Sequence, residues 1–146
     1  MMELYESLGF LLNYSARLIK RKLDQELKQY HLTTSQWAIL KILAEQNHIS
    51  QAELANLTGT DRANCGTVLD KLLSKKFIEK SLSSKDRRSY IISITPPALE
   101  LVEQIVSVVA QTNRQALKGF SKAEQEQFVN DLNLVINNLM KEGDRI

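Results

Sequence analysis

The apolar period of this chain changes only once. Ile78, Lys80 and Leu82 share one phase of an alternating run, and Tyr90, Ile92 and Ile94 share another. Two short strands joined by the polar stretch 83–88 make an antiparallel hairpin. Elsewhere, apolar residues recur at the three- and four-residue spacing of helices. The expected fold is therefore mainly α with a small β-hairpin.

The helices carry their own start signals. Leu4, Leu8, Leu11, Leu12, Leu18, Ile19, Leu23 and Leu27 predict one long amphipathic helix over 3–29. Thr33-x-x-Gln36, Ser50-x-x-Glu53 and Ser121-x-x-Glu124 are capping boxes. The first opens a helix burying Trp37, Leu40, Leu43 and Ala44. The second opens a short helix through Leu57, followed by a tight turn at 58–60. Asp61 or Thr60 then caps a helix with Cys65, Val68, Leu69 and Leu72 inward. Thr95-Pro96-Pro97 ends the hairpin and starts a fifth helix, which Gly119 stops. Phe128, Leu132, Val135, Ile136 and Leu139 stripe the last helix.

With 146 residues and 43% hydrophobic content, the chain is expected to form a single domain. Its charge is unevenly spread. Residues 47–95 hold eight Lys/Arg against five Asp/Glu, and residues 96–146 hold five against seven. A basic middle third permits contact with nucleic acid. The single cysteine, Cys65, excludes an internal disulfide and suits the cytoplasm. No stretch approaches the roughly 20 apolar residues of a membrane span. The apolar run 8–14 is short and follows acidic Glu3 and Glu6, so no signal peptide is expected.

Helix, short helix, tight turn, helix and hairpin is the order of a winged helix-turn-helix. The second helix of such a pair fits a major groove, and the hairpin reaches the adjacent minor groove. Arg62, Ala63, Asn64, Gly66, Thr67 and Lys71 should face outward on the helix over 61–75. Small residues allow close approach to bases, asparagine pairs with adenine, and threonine touches a thymine methyl or a phosphate. Lys85, Arg87 and Arg88 place cations at the hairpin tip, where a narrow minor groove attracts arginine. Asp86 is expected to pair with one of these arginines, or to cap the turn, and so hold the tip in shape.

Three segments, "LTTSQWAILKIL", "ELANLTGTDRANCGTVLDKL" and "KDRRSYIISIT", resemble in order and spacing the MarR family of bacterial transcription regulators. The likeness covers nearly the whole chain. It implies a winged helix over about 33–95, with dimerisation helices over about 1–30 and 96–146. It also implies a homodimer on a pseudo-palindromic operator, working as a repressor that a small phenolic or other aromatic effector releases. Carried over by position, DNA contacts fall on Asn64, Gly66, Thr67 and Lys71, with Thr60 at the helix start. Ser35, Gln36, Ser50 and Gln51 meet phosphates, and Arg88 enters the minor groove with Asp86 as its organiser. An effector pocket between the first, second and fifth helices would use Tyr14, Arg17 and Trp37. The chain departs from the family in having Thr67 where arginine is frequent and Lys76 where glycine is usual.

The remaining reactive residues suggest little chemistry. Cys65 lies on an inward stripe and reads as a small hydrophobe. His31 and His48 sit in loops without metal-site spacing. No nucleophile–histidine pair, phosphate loop or carboxylate cluster stands out, so neither enzyme activity nor a cofactor is expected. The rival to an operator-binding regulator is a winged-helix module used for protein–protein assembly.

Overall fold

The computed structural model describes residues 1, 3–85 and 89–140. Its elements are α1 (Leu8–Leu27), α2 (Thr34–Glu45), β1 (Ile49–Ser50), α3 (Gln51–Thr58), α4 (Arg62–Ser74), β2 (Ile78–Leu82), β3 (Tyr90–Ile94), α5 (Pro96–Ala116) and α6 (Lys122–Leu139). Short 3₁₀ turns flank α1 at Leu4–Glu6 and Lys28–Tyr30. The expected helix over 3–29 is thus interrupted near its start. Glu3 and Glu6 close a small capping box of their own, and Ser7 is extended (φ −73°, ψ 121°) before α1 begins.

Local capping chemistry sets most other boundaries. The Thr33 hydroxyl accepts from the Gln36 amide at 3.2 Å, and the Gln36 side chain accepts from the Thr33 amide at 3.2 Å. Ser121 and Glu124 reciprocate in the same way at the start of α6. Asp61, rather than Thr60, caps α4, accepting from the Asn64 amide at 2.7 Å.

The hairpin is part of a three-stranded antiparallel sheet of order β1-β3-β2. Its third member, β1, pairs Ile49 with Ile92 and Ser50 with Ile91. In the hairpin, Ile78 pairs with Ile94, Lys80 with Ile92 and Leu82 with Tyr90. The sheet closes against a core in which Leu27, Leu40, Leu43, Leu54, Leu69, Leu72, Ile92 and Ile105 are buried. This core joins the end of α1, the helix-turn-helix, the sheet and the first half of α5. α6, by contrast, buries none of its residues. No helix among the described residues is long and apolar enough to cross a membrane.

α4 ends in a Schellman motif. The Phe77 amide donates to Leu72 O and the Lys76 amide to Leu73 O, each at 3.0 Å. Lys76 is left-handed there, at φ 60°. A lysine in this conformation brings its Cβ close to the following carbonyl. The Lys76 carbonyl also accepts from the Thr95 hydroxyl at 2.9 Å, so the turn is tied to the start of α5. Lys76→Gly is expected to stabilise the chain by about 1 kcal/mol, raising the melting temperature by about 3 °C. A lower melting temperature would show that the lysine side chain contributes more than its backbone strain costs.

Candidate nucleic-acid interface

α4 divides its residues cleanly. Cys65, Leu69 and Leu72 are buried, whereas Arg62, Ala63, Asn64, Thr67 and Lys71 are exposed. The exposed face is mostly uncharged around Ala63, Asn64 and Thr67, with Arg62 at its start and Asp70 and Lys71 toward its end. Asn64 is oriented by its own cap, its side-chain amide donating to Asp61 Oδ2 at 2.9 Å. The amide oxygen of Asn64 takes no part in that bond. The Thr67 hydroxyl donates to Ala63 O at 3.1 Å, so its proton is committed to the helix while its oxygen keeps acceptor capacity.

Gly66 has a packing reason to be glycine. A Cβ there would stand 3.3 Å from the Gln51 side-chain nitrogen, so the missing methyl lets α3 lay Gln51 across α4. Ser50 is half-buried, and its hydroxyl caps α3 by accepting from the Glu53 amide at 3.1 Å. Ser35 is exposed at the start of α2, and Thr60 at the turn before α4. These two, with Thr34, Thr58, Asn64 and Thr67, line a cleft of about 480 Å³ between α2 and α4.

Gln36 does not share this surface, contrary to its expected phosphate contact. It is 4% exposed. Its Oε1 accepts both the Thr33 amide and, at 3.1 Å, the Lys75 ammonium from the end of α4. Lys75 also donates to the His31 carbonyl. On the other side of the same loop, the Thr34 amide donates to Asp24 of α1 at 2.7 Å, and Asp24 pairs with Lys20 at 3.1 Å. Burial opposes the Asp24 charge, but the bonds from Thr34 and Lys20 outweigh it and hold its pKa below the ordinary aspartate value. Gln36 therefore joins the recognition helix to the α1–α2 loop. Its polarity and its place at a helix start made it look like a surface donor.

At the wing, the Lys85 amide donates to the Ser83 hydroxyl at 3.2 Å, and Lys85 is exposed. Asp86, Arg87 and Arg88 lie outside the described residues, and the expected Asp86–arginine pairing with them. Two residues beside the hairpin tip escaped the sequence reading. Lys80 places its ammonium 4.3 Å from the centre of the Tyr90 ring. Both line a cleft of about 350 Å³ with Gln51, Ala52, Arg62 and Ser89. The available signal was a lysine in the apolar phase of a strand.

The three residues assigned to an effector are only partly gathered. Tyr14 and Arg17 are exposed on α1, with the guanidinium 5.9 Å from the tyrosine ring. Trp37 packs against the winged-helix core, and its buried Nε1 has no hydrogen-bond partner among the described residues. Cys65 is 1% exposed, and burial pushes its thiol pKa up, away from the reactive thiolate. His48 shares a 2.8 Å hydrogen bond with the Ser93 hydroxyl.

Residues 32–90, the helix-turn-helix and most of the hairpin, match the model of the MarR family. The uncharacterized HTH-type transcriptional regulator YwaE of Bacillus subtilis (strain 168) is 28% identical over 126 residues, covering 86% of this chain and 74% of that protein. Bordetella bronchiseptica BpsR, solved to explain how 6-hydroxynicotinic acid regulates its DNA binding, superposes with a TM-score of 0.85 at 25% identity. The match covers 92% of this chain and 96% of that one. A crystal structure of MarR itself matches with a TM-score of 0.79 at 25% identity, over 90% and 96% of the two chains. The helix-turn-helix and first strand of the wing thus match the MarR family, and the chain as a whole is similar in fold to MarR and BpsR, its flanking helices included.

Proposed function

We propose that this chain is a sequence-specific DNA-binding transcriptional regulator that acts as a homodimer in the cytoplasm. The exposed face of α4 carries the reading. Ala63, Asn64 and Thr67 form a small, polar surface on a helix whose other side is locked into the core, with Arg62 and Lys71 at its ends. Such a helix fits a major groove and presents an amide and a hydroxyl to base edges. Ser35, Ser50, Gln51, Thr60 and Lys85 surround it as phosphate contacts, and Arg87 and Arg88, outside the described residues, are the cations proposed for the minor groove. In this reading the chain represses its targets and a small aromatic acid releases it; control of DNA binding by such an acid has a parallel in BpsR, whose DNA binding 6-hydroxynicotinic acid regulates. Tyr14 and Arg17, adjacent on the exposed face of α1, offer that acid a ring and a cation.

The test is binding to duplexes drawn from a random library and from the promoter region beside its own gene. Affinity should fall steeply as salt rises, in proportion to the phosphates neutralised. Asn64→Ala should change preference at one base position by about 1–3 kcal/mol, while Lys71→Ala weakens all duplexes alike. Binding that ignored both sequence and salt would favour the protein–protein module instead.

A further inference from the structure

We propose that Lys80, braced against the ring of Tyr90, grips the DNA backbone strand that runs between the major and minor grooves, with Arg62 and Gln51 completing the clamp. The proposal rests on the DNA-binding reading above and adds a contact to it.

The argument begins in the sheet. Ile78, Lys80 and Leu82 of β2 lie on the same face as Ile94, Ile92 and Tyr90 of β3. At its root that face is covered, with Ile78 at 3% and Ile92 at 0% exposure. Further along, Lys80, Leu82 and Tyr90 emerge into solvent. Lys80 and Tyr90 are diagonal neighbours across the two strands, within reach for a long side chain and a ring. The ammonium lies 4.3 Å from the ring centre, so the tyrosine restricts a side chain that is otherwise among the most mobile.

The cleft in front of this pair points to the ligand. Among the described residues it is lined by Gln51, Ala52, Arg62, Lys80, Ser89 and Tyr90, which bring two cations and no carboxylate. The carboxylate next in sequence to Arg62, on Asp61, is used in capping α4 and holding Asn64. Two cations facing one cleft repel each other until an anion enters. Gln51 is laid across Gly66, its side-chain nitrogen 3.3 Å from where a Cβ would stand, closer than a side chain there would ordinarily leave it. Its side chain adds a neutral donor to the two charges.

The position of the cleft identifies the anion. It lies between the first turn of α4 and the strands of the wing. If α4 occupies a major groove and the wing the adjacent minor groove, the sugar-phosphate strand dividing those grooves must cross the surface between them. That strand carries a negative charge at every nucleotide. The contact reads no base and contributes equally to every sequence.

The full-length chain, titrated by fluorescence anisotropy into a wild-type-selected duplex and an unrelated one at several salt concentrations, tests the clamp. Lys80→Ala should weaken both duplexes roughly tenfold and make the log–log salt slope shallower by about one. Tyr90→Phe, which keeps the ring, should match wild type, and Tyr90→Leu should lose roughly threefold. The double variant Lys80→Ala/Tyr90→Leu should be no weaker than Lys80→Ala, because the ring acts through the lysine. Additive losses, or a Lys80→Ala slope equal to wild type, would overturn the clamp while the DNA-binding reading stands. A wild-type chain that bound neither duplex would overturn both.

Discussion

Glutamate in place of Leu139 is expected to turn the protein into a monomer whose winged-helix core still folds, and to cost operator affinity roughly two to four orders of magnitude. The reasoning starts from α6. Its 18 residues bury none of their side chains within the chain, yet Phe128, Leu132, Val135, Ile136 and Leu139 keep helical spacing. Leu139 is 71% exposed and Ile136 53%. Helices draw most of their stability from packing an apolar face, so this stripe needs a cover that the described residues of its own chain do not supply. α1 poses the same problem at Leu8 and Leu11, which are 60% and 43% exposed. A second copy solves both by burying the four stripes together. A glutamate in that interface would be a desolvated, unpaired charge. The affinity follows because two linked winged helices engage two half-sites at high effective concentration, and a lone one does not. Leu11→Glu, on the other helix, should give the same result. Sedimentation equilibrium and operator binding check the pair. A dimer persisting in both variants would show that these stripes are covered some other way.

The parts of the fold that are written locally were legible in the sequence. A capping box needs only two residues three apart, so Thr33–Gln36, Ser50–Glu53 and Ser121–Glu124 announced three helix starts, although at the second only the Ser50 hydroxyl caps and no reciprocal Glu53 bond forms among the described residues. The hairpin was legible because alternation over five residues is a period. β1 was not, because Ile49 and Ser50 are two residues and two residues have no period. α1 was read too long because Leu4 and Leu8 keep helical spacing across Ser7, whose extended backbone leaves no mark on hydrophobic periodicity. The same limit applies to the interface. Which side of α4 faces outward could be inferred from its inward stripe. The inward turn of Gln36 could not, because it depends on Lys75, 39 residues away. Lys80 shows a further limit: its place in an apolar phase marked it as unusual, but only the strand register brought it over Tyr90.

Leu72→Ala is expected to destabilise the protein by about 3 kcal/mol and lower its melting temperature by roughly 6–12 °C. Leu72 is 0% exposed, on the inward stripe of α4 with Cys65 and Leu69. The core around it joins the helix-turn-helix to the sheet, and its carbonyl accepts the Phe77 amide where the chain turns into β2. Alanine there removes the packing of three heavy atoms, and the surrounding helices and sheet can collapse onto the space only in part. Leu82→Ala, at a residue 60% exposed on β2, should by comparison move stability by less than about 0.5 kcal/mol. The two recognition-helix variants should then separate cleanly. Leu72→Ala melts early but, at a temperature where it is still folded, binds the operator with near wild-type affinity, because Leu72 lies on the side of α4 facing the core. Asn64→Ala melts normally but loses base preference. Thermal melts at one fixed protein concentration, paired with binding at low temperature, make the comparison. If Leu72→Ala lost affinity while fully folded, the core beneath α4 would be controlling how the helix is presented to DNA, beyond merely supporting it.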